Sequence, residues 1–387
     1  MPGFFNDETG GHGGDLVHAA RQWNPEGGRM IDFSSNVNPL GPPEGLLEHL
    51  NEALPEIVNY PTPQARELRE KLSRFLGIPE NRLIMGNGAN ELIHLLVLWK
   101  RPRRVLIPAP TFSEYERAAH LAGAQVERYS LRPGEKFDPR TLIGRLDYGD
   151  LVVFCNPSNP TGMLYGGKEL QELVSAAGEK GALVMIDESF IPLTGQPEKS
   201  LRHNASSNLF IALSLTKLWA LPGLRLGCLV GPENDVLELT RWGDPWRVNS
   251  LAQKAGLYCL DHEDYLEKTL ELIKSERRFI TERLEETGGF HVFAGAANYL
   301  LVQALEPGFD VAHCQERLAR RGVLIRRADN FYGLDHTYFR VAVLKRPENR
   351  RLTEEMEAYI EDLRSGDFLI PGENEQGTGN YSGGESR

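Results

Sequence analysis

Five short apolar runs alternate with amphipathic helical stretches in the middle of the chain. The runs are VLIP (105–108), LVVFCNP (151–157), LVMIDES (183–189), LFIALSL (209–215) and GCLVG (227–231). A strand that is apolar along its whole length is buried on both faces, which is typical of a mainly parallel sheet covered by helices. The pattern therefore predicts an α/β fold. In such folds ligands bind beyond the carboxyl ends of the strands.

The pattern changes after about residue 249. A charged helical stretch covers 261–286, and strands at 298–305, 323–328 and 338–344 then alternate with helices, which indicates a smaller α+β unit. The last residues are rich in Gly, Asn, Ser and Glu and offer little apolar surface to bury. We expect an N-terminal segment (1–44) that packs with the small domain, a large domain (45–250), a small domain (251–364) and a disordered tail (365–387).

Charge and cysteine content weaken several classes of function. The formal net charge is −11, whereas a general nucleic-acid-binding surface is basic. The four cysteines are scattered without metal-ligand spacing, and no apolar run is long enough to span a bilayer. We therefore expect a cytoplasmic protein with no metal, no nucleic-acid partner and no membrane contact. Any anion site must be built locally from a few cationic side chains.

The segment SLTKLWALPGLRLG (214–227) places a lysine directly after an apolar strand. Lys217 is flanked by the hydroxyls of Ser214 and Thr216, and Arg225 follows. A lysine that forms a Schiff base with a cofactor needs nearby groups for the cofactor's phosphate, and hydroxyls with a guanidinium suit that role. The alternative is an ordinary surface lysine after a strand.

Two further polar residues follow apolar strands. In CNPSNPTG (155–162), Asn-Pro steps and a glycine form a rigid turn that presents Asn159, although such turns are common. In VMIDES (184–189), Asp187 ends an apolar strand, and a buried carboxylate is costly unless it meets a cation. A helix cap or a structural ion pair is the alternative role for Asp187.

The segment MGNGANELIHLLV (85–97) is a glycine-rich turn that leads into an amphipathic helix. We expect Asn90 to be the N-cap of this helix. The backbone N–H groups at a helix N-terminus, together with the helix dipole, can hold a phosphate. Alone this signal is weak, because any capped helix resembles it. The four segments together predict one ligand site at the edge of one sheet.

These motifs resemble those of the fold-type I pyridoxal 5′-phosphate (PLP) enzymes of the aspartate aminotransferase superfamily, over about residues 10–364. The resemblance implies that Lys217 carries PLP, Asp187 pairs with the pyridine nitrogen and Asn159 donates to the 3′-oxygen. It implies a homodimer, and an arginine for a substrate anion at Arg340. The resemblance also implies phosphate contacts from Ser214, Arg225 and the backbone of Gly88 and Ala89, and it places Phe112 on the ring and Tyr60 at the neighbouring subunit's phosphate. Asn90 and Thr216 are the remaining implied cofactor-binding residues.

Within this superfamily, HGGD (12–15) and DFSSNVNPLGPP (32–43) are similar to segments of the threonine-phosphate decarboxylases of cobalamin synthesis. Histidinol-phosphate aminotransferases are the alternative, but they carry a tyrosine where this chain has Phe190. A regulator that uses this fold to sense a ligand is a third possibility, and it would require an attached DNA-binding domain. The resemblance to the decarboxylases implies substrate contacts at His12, Gly13, Asn36, Asn159, Arg326 and Arg340.

Overall fold

The computed structural model describes residues 13–24, 27–262 and 264–366. The strands are β1 (Ile31–Asp32), β2 (Leu83–Gly86), β3 (Arg104–Ala109), β4 (Gln125–Ser130), β5 (Asp150–Cys155), β6 (Leu183–Asp187), β7 (Leu209–Ser214), β8 (Gly227–Val230), β9 (Phe290–Val292), β10 (Tyr299–Ala304), β11 (Val323–Leu324), β12 (Arg326–Arg327) and β13 (Tyr338–Ala342). The predicted disordered tail lies outside the described residues from residue 367 onward.

The helices cover both faces of the sheets and connect most of the strands. They are α1 (Leu16–Trp23), α2 (Leu46–Ala53), α3 (Arg66–Leu76), α4 (Ala89–Lys100), α5 (Glu114–Leu121), α6 (Pro139–Ile143), α7 (Gly167–Glu179), α8 (Leu215–Leu218), α9 (Glu233–Trp242), α10 (Ser250–Cys259), α11 (Asp264–Glu286), α12 (Val311–Arg320) and α13 (Arg346–Ser365). No helix in the described ranges combines the length and the apolar character needed to cross a membrane.

The larger sheet has seven strands in the order β2-β8-β7-β6-β5-β3-β4. Strands β3 to β7 run parallel, and β8 runs antiparallel to both β7 and β2. The predicted α/β fold with a mainly parallel sheet is confirmed.

Alternate residues of the central strands supply two separate hydrophobic layers. On β5, Val152 and Phe154 pack into one layer, and Leu151 and Val153 pack into the other. This two-sided burial is the physical reason why these strands read as continuous apolar runs. The polar side chains of the central strands therefore lie at the ends of these strands.

The smaller unit contains an antiparallel sheet in the order β12-β13-β10-β9, packed against α11, α12 and α13. Strand β1 pairs with β11, and α1 packs on α12. Helix α10 instead packs with the larger core through Ala252, Ala255 and Cys259. The expected boundary at residue 250 stays a prediction. The predicted strand at 323–328 is divided into β11 and β12 at Ile325.

Candidate active site

A cavity of about 620 Å³ opens where the carboxyl ends of the parallel strands face the smaller unit. Both units contribute to its wall, so residues far apart in the chain meet there. The predicted site residues that line it are Gly13, Asn36, Ala89, Asn90, Phe112, Asn159, Asp187, Ser214, Thr216, Lys217, Arg225, Arg326 and Arg340. Of the remaining ones, His12 lies outside the described residues, and Gly88 and Tyr60 do not line the cavity.

Lys217 enters the cavity from α8, the single helical turn that follows β7. Burial, together with the charges of Arg340 and Arg225, lowers the pKa of the Lys217 amine from 10.5 to about 8. A fraction of this amine is therefore neutral near physiological pH, and the neutral amine is the nucleophilic form. An ordinary surface lysine would not have this property.

Asp187, at the end of β6, is 7% exposed and accepts three hydrogen bonds. Its Oδ2 accepts from the Tyr115 hydroxyl at 2.7 Å, and its Oδ1 accepts from the Ser189 N–H at 2.9 Å and the Ser189 hydroxyl at 2.5 Å. Burial and the nearby Asp187 raise the pKa of Tyr115 well above its usual value, so its hydroxyl remains a donor. The carboxylate is thus held in one orientation toward the cavity.

Tyr115 and Ser189 were missed by the sequence reasoning. Ser189 follows Asp187 by two residues, and this Asp-x-Ser spacing is the signature of a turn in which the carboxylate accepts from the serine. The spacing could have identified Ser189. Tyr115 carries no such signal, because its contact with Asp187 joins α5 to β6 across 72 positions.

The end of the cavity near α4 combines helix N–H groups, two hydroxyls and a guanidinium. A Cβ on Gly88, whose φ is +83°, would lie 2.7 Å from Arg225 Nη2. Glycine therefore lets the guanidinium approach the first turn of α4. Ser214 Oγ and Thr216 Oγ1 lie 2.8 Å apart on the adjacent wall. These groups could hold a phosphate, as helix N-termini commonly do.

Asn90 is not the N-cap of α4, as the sequence had suggested. The helix begins at Ala89, and Gly88 occupies the cap position without a side-chain cap. The positive φ that the turn requires there is easily adopted only by glycine. The side-chain amide of Asn90 instead donates to Glu114 Oε2 at 3.2 Å, and Asn90 lines the cavity wall.

At the opposite end of the cavity, the buried Arg340 joins the two units. Its Nη1 donates to Asn159 Oδ1 at 2.5 Å, and its Nη2 donates to the Ser34 carbonyl at 2.6 Å. Because the Asn159 oxygen accepts from Arg340, its NH₂ group is left to donate toward the cavity. The Arg340 Nε–H is buried with no hydrogen-bond partner among the described residues.

Arg326 lies directly opposite Arg340 on the neighbouring antiparallel strand. Arg326 donates to Asn330 Oδ1 at 3.0 Å and lies over the Phe331 ring at 5.1 Å. Burial and the charge of Arg326 lower the pKa of Arg340. Like charges placed opposite each other on paired strands are unfavourable, so this end of the cavity favours an anionic ligand. The adjacent Arg327 pairs with Asp329 and belongs to the surface.

Asn36, Phe112 and Phe190 each have different contacts in the cavity wall. Asn36 is 4% exposed, and its Oδ1 has no hydrogen-bond partner in the described ranges. Phe112 contacts Tyr115 edge-on with ring centroids 5.6 Å apart. The ring of Phe190 packs edge-on against that of Tyr299, with centroids 5.0 Å apart. Phe190 occupies the position where the resembling aminotransferases carry a tyrosine hydroxyl. Tyr60 is not part of the wall of this cavity.

A family model described as "Aminotransferase class I and II" matches residues 28–356. The chain belongs to this family. Family members depend on PLP, so the predicted cofactor is confirmed. The cavity fits PLP, because the hydroxyls of Ser214 and Thr216 and the guanidinium of Arg225 line one part of it, and the carboxylate of Asp187 also lines it. Lys217 would hold the aldehyde carbon, Asp187 the pyridine nitrogen, and Ser214, Thr216 and Arg225 the phosphate.

Two kinds of relative are about equally similar to this aminotransferase-family chain. The threonine-phosphate decarboxylase of Salmonella typhimurium is 32% identical and covers 88% of this chain and 94% of its own. The histidinol-phosphate aminotransferase of Desulfitobacterium hafniense is 34% identical and covers 78% and 84% respectively. The crystal structure of the histidinol-phosphate aminotransferase from Clostridium acetobutylicum has a TM-score of 0.80 at 30% identity, covering 86% of this chain and all of its own.

Proposed function

We propose that this enzyme decarboxylates L-threonine O-3-phosphate to (R)-1-amino-2-propanol phosphate for cobalamin biosynthesis. The observation that carries the proposal is the pair of buried arginines, Arg326 and Arg340, opposed across β12 and β13 at the substrate end of the cavity. The proposed substrate has two anionic groups, a phosphate and a carboxylate. Two arginines that face one cavity can bind both groups at once.

PLP, when bound, supplies an electron sink for the pair left behind when a bond to the substrate's Cα breaks. The residues of this chain determine which bond breaks. When both anions are held, the substrate cannot rotate freely about Cα, and its orientation selects the bond to the carboxylate. A site with little water around Cα would favour loss of CO₂, because the negative charge is dispersed as the carboxylate leaves.

Lys217 is the proposed proton donor. The bond from Cα to the carboxylate carbon breaks, CO₂ leaves, and a proton from Lys217 Nζ replaces it on Cα. With its pKa lowered to about 8, the Lys217 amine can give up and regain a proton near neutral pH. The proton that Lys217 donates is then recovered from solvent.

Phe190 favours decarboxylation over transamination as the proposed reaction. In the resembling aminotransferases a tyrosine at this position hydrogen-bonds the cofactor's 3′-oxygen. Phe190 is 6% exposed, lines the cavity and supplies no donor. Asn159 is then the side chain in the proposed site that donates to this oxygen. One donor fewer changes the electronic properties of the cofactor.

A histidinol-phosphate aminotransferase is the second candidate, because relatives of that name are as similar in sequence as the decarboxylases. Purified holoenzyme incubated with O-phosphothreonine alone should release CO₂ and give a product identified by its mass. Histidinol phosphate with 2-oxoglutarate should give no product. The reverse result would contradict the decarboxylase proposal and leave the proposed roles of Lys217 and Asp187 standing.

We infer further that two copies of the chain form the working enzyme. Tyr60 is 83% exposed and its ring contacts that of Trp246 in a tilted arrangement, with ring centroids 5.0 Å apart. Ile57 and Val58 are exposed as well, at 61% and 83%. An apolar patch of this kind is typical of a protein interface. In the proposed dimer, Tyr60 reaches the cofactor phosphate of the partner subunit.

A further inference from the structure

We propose that Ser34 is a positioning residue that couples the N-terminal segment to the substrate arginine, Arg340. This inference deepens the proposed function, since it rests on Arg340 binding an anionic group of the substrate. It does not depend on whether the reaction is decarboxylation or transamination.

The side chain of Ser34 has a single orientation that satisfies its contacts. Its hydroxyl lies 2.6 Å from Asp32 Oδ1, and its backbone N–H donates to the same oxygen at 2.8 Å. A hydroxyl has one proton, which is used on the carboxylate, so the Ser34 oxygen is left as an acceptor. It accepts from the Gly14 N–H at 2.8 Å. Asp32 thus fixes the orientation of the Ser34 hydroxyl, and that hydroxyl binds the N-terminal segment at Gly14.

The carbonyl of the same residue orients the arginine. Ser34 O accepts from Arg340 Nη2 at 2.6 Å, and both residues are buried, at 2% and 5% exposed. The second guanidinium contact, to Asn159, comes from the larger unit. Loss of the Ser34 contact would leave the guanidinium held from one side only.

The backbone of Gly13 lies directly against the Ser34 carbonyl. A Cβ on Gly13 would be 2.1 Å from Ser34 O and 2.7 Å from Ser34 C, both backbone atoms that cannot move aside. The segment and the guanidinium therefore contact the same peptide group. Gly13 also lines the cavity, so movement of the segment alters the wall and the arginine together.

The test compares Ser34→Ala with Gly13→Ala, singly and combined. We expect Ser34→Ala to raise KM for the substrate about fivefold to tenfold with kcat within about twofold, as for loss of one hydrogen bond that positions a binding group. Gly13→Ala should raise KM similarly. Because both act through one contact, the double variant should lose much less than the product of the two single effects.

Ser206→Ala is the matched control. Ser206 makes the same pair of bonds, from its N–H at 2.8 Å and its hydroxyl at 2.6 Å, to Asn204 Oδ1 two residues earlier. It is remote from the cavity, so its KM should equal that of the parent enzyme. Equal KM for Ser34→Ala and the parent, or multiplicative effects in the double variant, would overturn the coupling. If Ser34→Ala does not fold, an unchanged KM in Gly13→Ala overturns it.

The substrate for this test is whichever phosphorylated compound the holoenzyme turns over in the product assay. If that compound is histidinol phosphate, the decarboxylase proposal fails and the Ser34 comparison is still decided on it. Calorimetric binding of the same compound to the Lys217→Ala protein gives a second readout. The Kd should rise with Ser34→Ala by about the same factor as KM, and an unchanged Kd would count against the coupling.

Discussion

Buried charged groups have different hydrogen-bond partners at the two ends of the cavity. At the cofactor end, the carboxylate of Asp187 accepts three hydrogen bonds from Tyr115 and Ser189. At the substrate end, Arg326 and Arg340 lie opposite each other, and the Arg340 Nε–H has no partner among the described residues. The carboxylate is thus stabilised by donors of the protein itself, whereas the two arginines would be stabilised by an anionic group of the proposed substrate. We therefore expect changes at the cofactor end to reduce kcat and changes at the substrate end to reduce kcat/KM through substrate binding.

Lys217→Ala should have the largest effect, a loss of about 10⁴-fold in kcat, since it removes the proposed proton donor. Reduction of the wild-type holoenzyme with borohydride, followed by peptide mapping, should place the pyridoxyl group on Lys217. Lys168, exposed on α7, provides the control, and Lys168→Ala should be as active as the parent. A pyridoxyl group on any other lysine would end the main hypothesis.

Asp187→Asn should fold normally and lose kcat on the order of 10³-fold, because a fixed charge at the cofactor is removed. Steady-state kinetics and circular dichroism would measure the two outcomes. Tyr115→Phe removes one of the three hydrogen bonds to Asp187 and should cost far less. Near-normal turnover of Asp187→Asn would mean that the carboxylate is merely structural, and the contrast between the two ends would disappear.

Arg340→Ala and Arg326→Ala should each lower kcat/KM by about 10²-fold, as expected for loss of a charged hydrogen bond to the substrate. Arg327→Ala is the control, because Arg327 pairs with Asp329 and should leave kcat/KM within about twofold. If the two substrate-end variants lost kcat alone, with KM unchanged, the arginines would not be serving as the anion site.

The lowered pKa of Lys217 should make this amine reactive at lower pH than other lysines. The neutral fraction of Lys217 rises as pH increases through about 8 and then levels off. Ordinary lysines continue to gain reactivity up to about pH 10.4. Acetylation of cofactor-free protein, followed by mass spectrometry, should therefore modify Lys217 faster than exposed lysines at pH 7.5, because the neutral fraction of an amine with a pKa of about 8 is about 200 times that of an amine with a pKa of about 10.4. A Lys217 rate that still rises steeply above pH 9 would disagree with the burial of its amine.

The smallest signal is the recovery of activity by complementation at Tyr60, because its proposed contact is made across the interface. Mixtures of inactive Tyr60→Ala and inactive Lys217→Ala should form heterodimers with one intact site and recover about a quarter of the parent activity. Sedimentation would establish the dimer, and unmixed samples are the control. A monomer, or no recovery on mixing, would remove the interface from the proposed site.

The two ends also differ in how well the sequence predicts them. Lys217, Asp187 and Asn159 each follow an apolar run, and parallel strands bring their carboxyl ends to one edge, so their proximity could be predicted. The contact between Arg340 and Ser34 spans 306 positions and joins the segment after β1 to β13. Local patterns do not determine such register. The same limit explains why the prediction of Asn90 as the N-cap was wrong, since the start of α4 depends on the backbone angle of Gly88.

The contact between Gly14 and Ser34 makes α1, which begins two residues after Gly14, a useful place for a reporter. Val17 on this helix is 64% exposed, whereas the four native cysteines are buried, so a dye can be coupled selectively to a Val17→Cys variant. Such a dye would be carried by the segment that contacts the substrate end of the cavity. Its fluorescence should therefore follow occupancy of the site during turnover.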